Sequence, residues 1–154
     1  MDLILWRHAE AVDLREGESD DLACVLTPKG ERNAARMAQW LNQVFPATTR
    51  VLVSPALRTQ QTAAALERKF KTVAALAPDG TVDALLDVVR WPEAREPVLV
   101  VGHQPTLGLA AAYLLAGTAQ PWIIRKGAAW WLRCREKDGR PQVALLAARS
   151  PSHL

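Results

Sequence analysis

The 154-residue chain has only two cysteines, Cys24 and Cys134, and they lie far apart. They show neither metal-site spacing nor a disulfide framework, so two reduced thiols are expected. Long apolar runs are missing too. Nothing approaches the roughly 20 residues of a membrane span. The run at 3–6 is too short for a signal peptide and lacks a cleavage site. The expectation is a cytoplasmic protein with no membrane partner. Basic clusters are equally scarce. The net charge is +3, and no run of basic residues exceeds Arg125-Lys126, so the stripe typical of a nucleic-acid binder is absent. No repeat, low-complexity tract or linker divides the chain, and its length suits one domain over residues 1–154. Histidine occurs three times, as His8, His103 and His153, and two of these carry the argument that follows.

Leu3-Ile4-Leu5-Trp6 is a continuous apolar run that ends abruptly in Arg7-His8. Continuous rather than alternating hydrophobicity marks a strand buried on both faces. Val51-Leu52-Val53 and Val98-Leu99-Val100-Val101 repeat the pattern, the second ending in Gly102-His103-Gln104-Pro105. Helices are expected between the strands. One opens at Thr27-Pro28, with Thr as cap and Pro in the first turn, carries Met37, Trp40, Leu41, Val44 and Phe45 on one face, and ends at Pro46. A second starts at Ser54-Pro55 and runs to about Phe70. A third, capped by Thr81, buries Val82, Leu85, Leu86 and Val89, and a fourth runs from residue 106 to about Ala116 before Gly117.

A strand at 72–76 is expected near a sheet edge, followed by a turn at Ala77-Pro78-Asp79-Gly80. Apolar stretches at 121–126 and 128–134 hold Trp122, Trp130 and Trp131, and Asp138-Gly139 fits the turn of a closing hairpin. The tail from Ser150 to Leu154 reads as loose, and residues 9–26 as a polar loop, either a functional flap or a solvated connection. Strands alternating with helices imply an α/β fold: a mostly parallel sheet covered on both faces, with an antiparallel pair near the C-terminus. Right-handed crossovers then bring Arg7, His8, Arg58 and His103 to one rim, the carboxyl edge where such sheets bind ligands.

Two arginines and two histidines around a phosphoryl group form a coherent catalytic set. Arg58 falls in the first turn of its helix, where the dipole disfavours a cation unless an anion lies between them. Arg7 and Arg58 would fork onto nonbridging oxygens. His8 would attack phosphorus and carry it as a phosphohistidine, which water would then hydrolyse. His103 would act as a cationic donor to the transition state, with the amide of Gln104 as a further donor. The arginines supply the positive charge, so neither metal nor cofactor is required.

Arg7-His8-Ala9-Glu10-Ala11, Leu26-Thr27-Pro28-Lys29-Gly30, Val53-Ser54-Pro55-Ala56-Leu57-Arg58-Thr59-Gln60-Gln61-Thr62 and Val101-Gly102-His103-Gln104-Pro105, in this order, resemble the histidine phosphatase superfamily, and within it the small SixA-type phosphohistidine phosphatases. The resemblance implies a three-layer α/β/α sandwich of the phosphoglycerate mutase-like fold. It implies His8 as the phosphorylated nucleophile, with Arg7, Arg58 and His103 as the phosphate pocket. It also implies a phosphorylated histidine-containing protein as substrate partner, and a monomer is expected. Ala9 departs from the glycine usual in the wider superfamily.

No general acid stands out among Asp79, Asp83, Glu10 and Asp13. An imidazole leaves phosphorus more easily than an alkoxide, so a missing acid fits P–N better than P–O cleavage. Two other readings remain: a small-molecule phosphomonoesterase, disfavoured by the little chain left for a substrate lid, and a non-catalytic phosphate or phosphoprotein binder. A surface contact through one of the adjacent Trp130 and Trp131 is a further option, since neighbours on a strand face opposite sides.

Overall fold

The computed structural model describes residues 1–14 and 20–154. In chain order the elements are β1 (Asp2–Arg7), α1 (Pro28–Val44), β2 (Arg50–Val53), α2 (Leu57–Ala64), β3 (Lys71–Thr72), α3 (Val82–Val89), β4 (Val98–Gly102), α4 (Thr106–Ala116), β5 (Ala129–Lys137) and β6 (Arg140–Arg149). The strands form one sheet in the order β3-β2-β4-β1-β5-β6. The first four are mutually parallel, while β5 pairs antiparallel with β1 and β6 antiparallel with β5. No helix among the described residues is long and apolar enough to cross a membrane.

The apolar runs bury both faces because alternate residues enter different cores. Leu3 and Leu5 of β1 and Val98 and Val100 of β4 pack with Leu85 and Val89 of α3 and Leu107, Ala110 and Ala111 of α4. Ile4 and Trp6, with Leu99 and Val101, pack on the other face against Met37, Ala38 and Leu41 of α1 and Ala63 of α2. The result is the expected three-layer sandwich. The chain leaves neighbouring β1 and β4 toward opposite faces, so their carboxyl ends flank the crevice where α/β sheets place ligands.

Several elements differ from the sequence reading. The second helix stops at Ala64 rather than near Phe70. Tight turns from Thr62 to Glu67 replace it, Glu67 takes a left-handed φ of 54°, and Arg68 donates to Asn42 Oδ1 and to the carbonyls of Phe45 and Pro46. Those bonds hold the chain against the end of α1 instead of continuing α2. The edge strand is only Lys71–Thr72, because Ala74–Leu76 coils to bury Leu76 in the α3 core. Residues 121–126 form no strand. The tail is anchored: Pro151 is buried in a short 3-10 turn.

The hairpin turn is where expected, with Asp138 and Gly139 both at positive φ, 54° and 77°. Trp130 packs against the α3/α4 core and Trp131 against the α1/α2 core, edge-on to Phe45 at 4.8 Å between ring centroids. Neither tryptophan is left exposed as a contact, and Cys24 and Cys134 are both free thiols.

The end of α4 nearest the rim leaves no room for a side chain at Gly108. A Cβ there would lie 1.7 Å from the Trp122 carbonyl oxygen and 2.8 Å from Gln104 Nε2. Gly108→Ala should therefore destabilise the protein by about 1–3 kcal/mol, despite the better helix propensity of alanine. Urea unfolding at neutral pH measures this, and an unchanged or raised midpoint would contradict it.

Candidate active site

Strand pairing sets the site. Arg7 is registered against Gly102, so the next residues, His8 and His103, leave adjacent strand tips together. The His8 amide donates to the Gly102 carbonyl at 3.1 Å, and the Ser54 amide at the end of β2 donates to the Val101 carbonyl at 3.1 Å. The ring centroids of His8 and His103 are 5.3 Å apart. Arg58, in the first turn of α2, lines the same cavity of about 180 Å³ as His8, with Asp13, Asp21, Cys24 and Lys126. Arg7 lies immediately before His8 and lines an adjoining groove.

The tautomer of His8 follows from its neighbour. Its Nδ1 lies 2.8 Å from the carbonyl oxygen of Ala9, which can only accept, so Nδ1 carries the hydrogen and Nε2 keeps a lone pair. The loop is braced on both sides. The Ala9 amide donates to Thr62 Oγ1 at 3.1 Å, and the His8 carbonyl accepts from the Gly127 amide at 2.9 Å. Ala9 is fully buried beside Leu26 and Ala34, so its methyl group occupies a packed position.

His103 is held through the other nitrogen. Its Nε2 is 2.7 Å from Ser54 Oγ, and that hydroxyl oxygen accepts from the Ala56 amide at 3.2 Å. Its Nδ1 is buried with no protein partner. Ser54, read from sequence as a helix cap, therefore orients the second imidazole, and Ala56 takes the cap position of α2. Ser54 ends an apolar strand as His8 and His103 do, and that shared position was the signal for it.

Both imidazoles are neutral at pH 7. Burial, followed by the nearby Arg58 charge, pushes His103 down to about 3. Burial, with smaller contributions from Arg58, Arg7 and Lys126, pushes His8 down to about 4, against a hydrogen bond to Ala9 that acts the other way. The free site thus differs from the reading of His103 as a resting cation. Arg7 is itself lowered, by burial first and then by repulsion from the Arg58 charge.

The arginines are positioned by different segments. Arg7 donates from one terminal nitrogen to the Ile124 carbonyl at 3.0 Å, while its Nε is buried and unpartnered. Arg58 donates to the Asp21 carbonyl at 2.8 Å and to Asp21 Oδ2 at 3.1 Å. Asp21 belongs to the long polar loop, and nothing in its local pattern distinguished it from that loop's other acids. The base of the loop is pinned by an Ala11–Leu26 bridge, by the Val12 amide on the Val25 carbonyl at 2.8 Å, and by the Leu26 amide on Gln61 Oε1 at 2.8 Å. Residues 15–19 of the expected flap lie outside the described residues.

Gln104 has a different use from the expected donor. Its side chain donates to the Trp122 carbonyl at 2.8 Å and accepts from the Gly108 amide at 2.9 Å. It thereby braces the segment whose Ile124 carbonyl holds Arg7. Of the four candidate acids, Asp13 lines the His8 cavity. Glu10 faces the adjoining groove and accepts from Thr27 Oγ1 at 2.9 Å, whereas Asp79 and Asp83 are exposed and line neither.

Residues 3–79 match the histidine phosphatase superfamily, branch 1. An uncharacterised protein of a Picosynechococcus strain is 39% identical over 70% of this chain and 69% of its own length. The solved structure of SixA, a protein histidine phosphatase complexed with tungstate, has a TM-score of 0.77 at 26% identity, covering 99% of this chain and 98% of that one. A protein from Nakamurella multipartitia, provisionally assigned as phosphohistidine phosphatase SixA, gives 0.78 at 29% identity over 97% and 95%. A phosphoserine phosphatase mutant from Entamoeba histolytica shares the fold alone, at 18% identity and a TM-score of 0.69 over 99% and 98%. Two neutral imidazoles and Arg7 at adjoining strand tips, with Arg58 from the first turn of α2, agree with these matches, and the chain belongs to the histidine phosphatase superfamily.

Proposed function

We propose that this phosphatase takes phosphoryl groups from phosphohistidine on a cytoplasmic phosphotransfer or signalling protein, acting as a monomer and holding the group transiently on His8. The observation that carries this reading is the free Nε2 lone pair of His8, in a cavity shared with Arg58 and beside His103 and Arg7. Nε2 attacks phosphorus as the bond to the substrate imidazole breaks, and the leaving nitrogen keeps the electron pair and takes a proton from solvent water. Water then attacks the phosphohistidine, loses a proton and releases phosphate, returning His8 to its neutral form. Arg7 and Arg58 hold the nonbridging oxygens, and the unpartnered Nδ1 of His103 donates to one of them. An incoming dianion favours protonation of His103, so the cation absent from the free site forms when it is useful.

A candidate acid is present in the cavity, so the preference for an imidazole leaving group no longer rests on a missing carboxylate. Asp13 and Asp21 share the cavity with His8, but Asp21 is engaged by Arg58. A phosphoester with an alkoxide leaving group demands proton donation that an imidazole needs less.

His8→Ala should abolish turnover of a phosphohistidine protein, and Arg58→Ala should lower kcat by about 10²–10³, the effect of losing one preorganised charge donor. Steady-state rates on a phosphohistidine protein and on a panel of phosphoesters test both. Retained activity in the His8 variant contradicts the mechanism, and faster turnover of a sugar phosphate moves the reading to a small-molecule enzyme.

The pH dependence has a definite sign. Both histidines titrate lower in the folded protein, near 4 and 3, than the 6.5 of an unperturbed imidazole. Below pH 6.5 the unfolded chain therefore binds more protons than the folded one. Their contribution to stability is constant above that pH and is lost as pH falls toward 4 and then 3. In the free protein the imidazole NMR signals of His8 and His103 should keep their neutral positions from pH 8 to pH 5. A midpoint near 6.5 for either would contradict this.

A further inference from the structure

We infer that the groove beside Arg7 docks an acidic segment of the substrate protein. The inference rests on the phosphohistidine-protein reading and deepens it. The groove has a volume of about 590 Å³, far more than one phosphoryl group fills. One wall is the face of α1 that carries Lys29 and Arg36, about two turns apart, and the other is the segment with Arg125 and Lys126. Lys126 also lines the His8 cavity, and its charge contributes to lowering the His8 pKa, so groove and cavity are continuous.

Three observations select an anionic occupant. First, five cations line the groove against the single carboxylate of Glu10, so this wall is more positive than the whole chain at +3. Second, among the described residues the ion pairs are Arg58–Asp21 and Arg133–Asp2, so no described carboxylate pairs with Lys29, Arg36, Arg125 or Lys126. Third, Lys29 occupies the first turn of α1, where the helix dipole opposes a cation unless an anion approaches.

Apolar groups at the rim select a protein over a small polyanion. Ile123 is 71% exposed where it lines the groove, and Val12 and Val25 are exposed in a hollow that shares Val12, Asp13 and Cys24 with the His8 cavity. An inorganic polyanion gains nothing from them, whereas a protein face can cover them as a histidine enters the cavity.

The test uses a phosphohistidine peptide followed by glutamates and a leucine, its glutamine counterpart, free phosphohistidine and inorganic tripolyphosphate. The variant is Lys29→Glu/Arg36→Glu/Arg125→Glu, three exposed positions outside the catalytic set. At low salt the natural enzyme should prefer the acidic peptide by about 10-fold or more in kcat/KM, within the range of electrostatic steering. The variant should lose that preference while hydrolysing free phosphohistidine at the unchanged rate. Calorimetric binding of the unphosphorylated peptides gives a second readout that needs no turnover. Equal use of both peptides by an enzyme active on free phosphohistidine overturns the inference and leaves the phosphatase reading standing. A variant that weakens tripolyphosphate binding but not acidic-peptide binding also overturns it. Selective acidic-peptide binding without turnover of any phosphohistidine supports the groove and removes the phosphohistidine reading.

Discussion

Parallel pairing of β1 with β4 is the constraint on which the site depends. It fixes Arg7 beside Gly102, and the next residues of the two strands are the two imidazoles. The chain then leaves β1 for the α1 face and β4 for the α4 face, so the gap beyond these strand ends stays open. A one-residue slip in this register would send the alternating side chains of β1 to the wrong cores. The apolar surface that stabilises the sheet therefore also holds the spacing of the two imidazoles.

Charge in the cavity is arranged for a ligand. Among the described residues Asp21 pairs with one of the two guanidiniums, and the imidazoles stay neutral because they are buried and, second, because the Arg58 charge is near. On the proposed mechanism a neutral His8 is ready to attack, since its Nε2 needs no deprotonation at pH 7. The cost of crowding like charges is relieved when a phosphoryl dianion enters, which is the condition for binding energy to be used at the reacting centre. Asp21 holds Arg58 through both a carbonyl and a carboxylate oxygen, so a loop residue sets the orientation of a core-anchored arginine.

Much of this was legible along the chain because the relevant signals are local. Continuous apolar runs identified β1, β2 and β4, and Thr27-Pro28 and Thr81 marked helix starts that the structure caps with the same hydroxyls. Arg7, His8 and His103 follow directly from their strand ends. What could not be read depends on distant contacts. The early end of α2 follows from Arg68 reaching carbonyls at the end of α1. The roles of Ser54 and Gln104 follow from bonds to His103 and to the segment around Trp122. Asp21 and the tail at Ser150–Ser152 join the site or its groove only through folding, and no spacing in the sequence announces them.

The central claim is that one nitrogen, Nε2 of His8, accepts the phosphoryl group. Rapid quenching of the enzyme into alkali during turnover, followed by peptide mass spectrometry and phosphorus NMR, reads that atom directly. The account predicts a phosphoryl group on His8, bound at Nε2, with none on His103. Phosphate found on His103, or its absence from His8 while turnover proceeds, would contradict it.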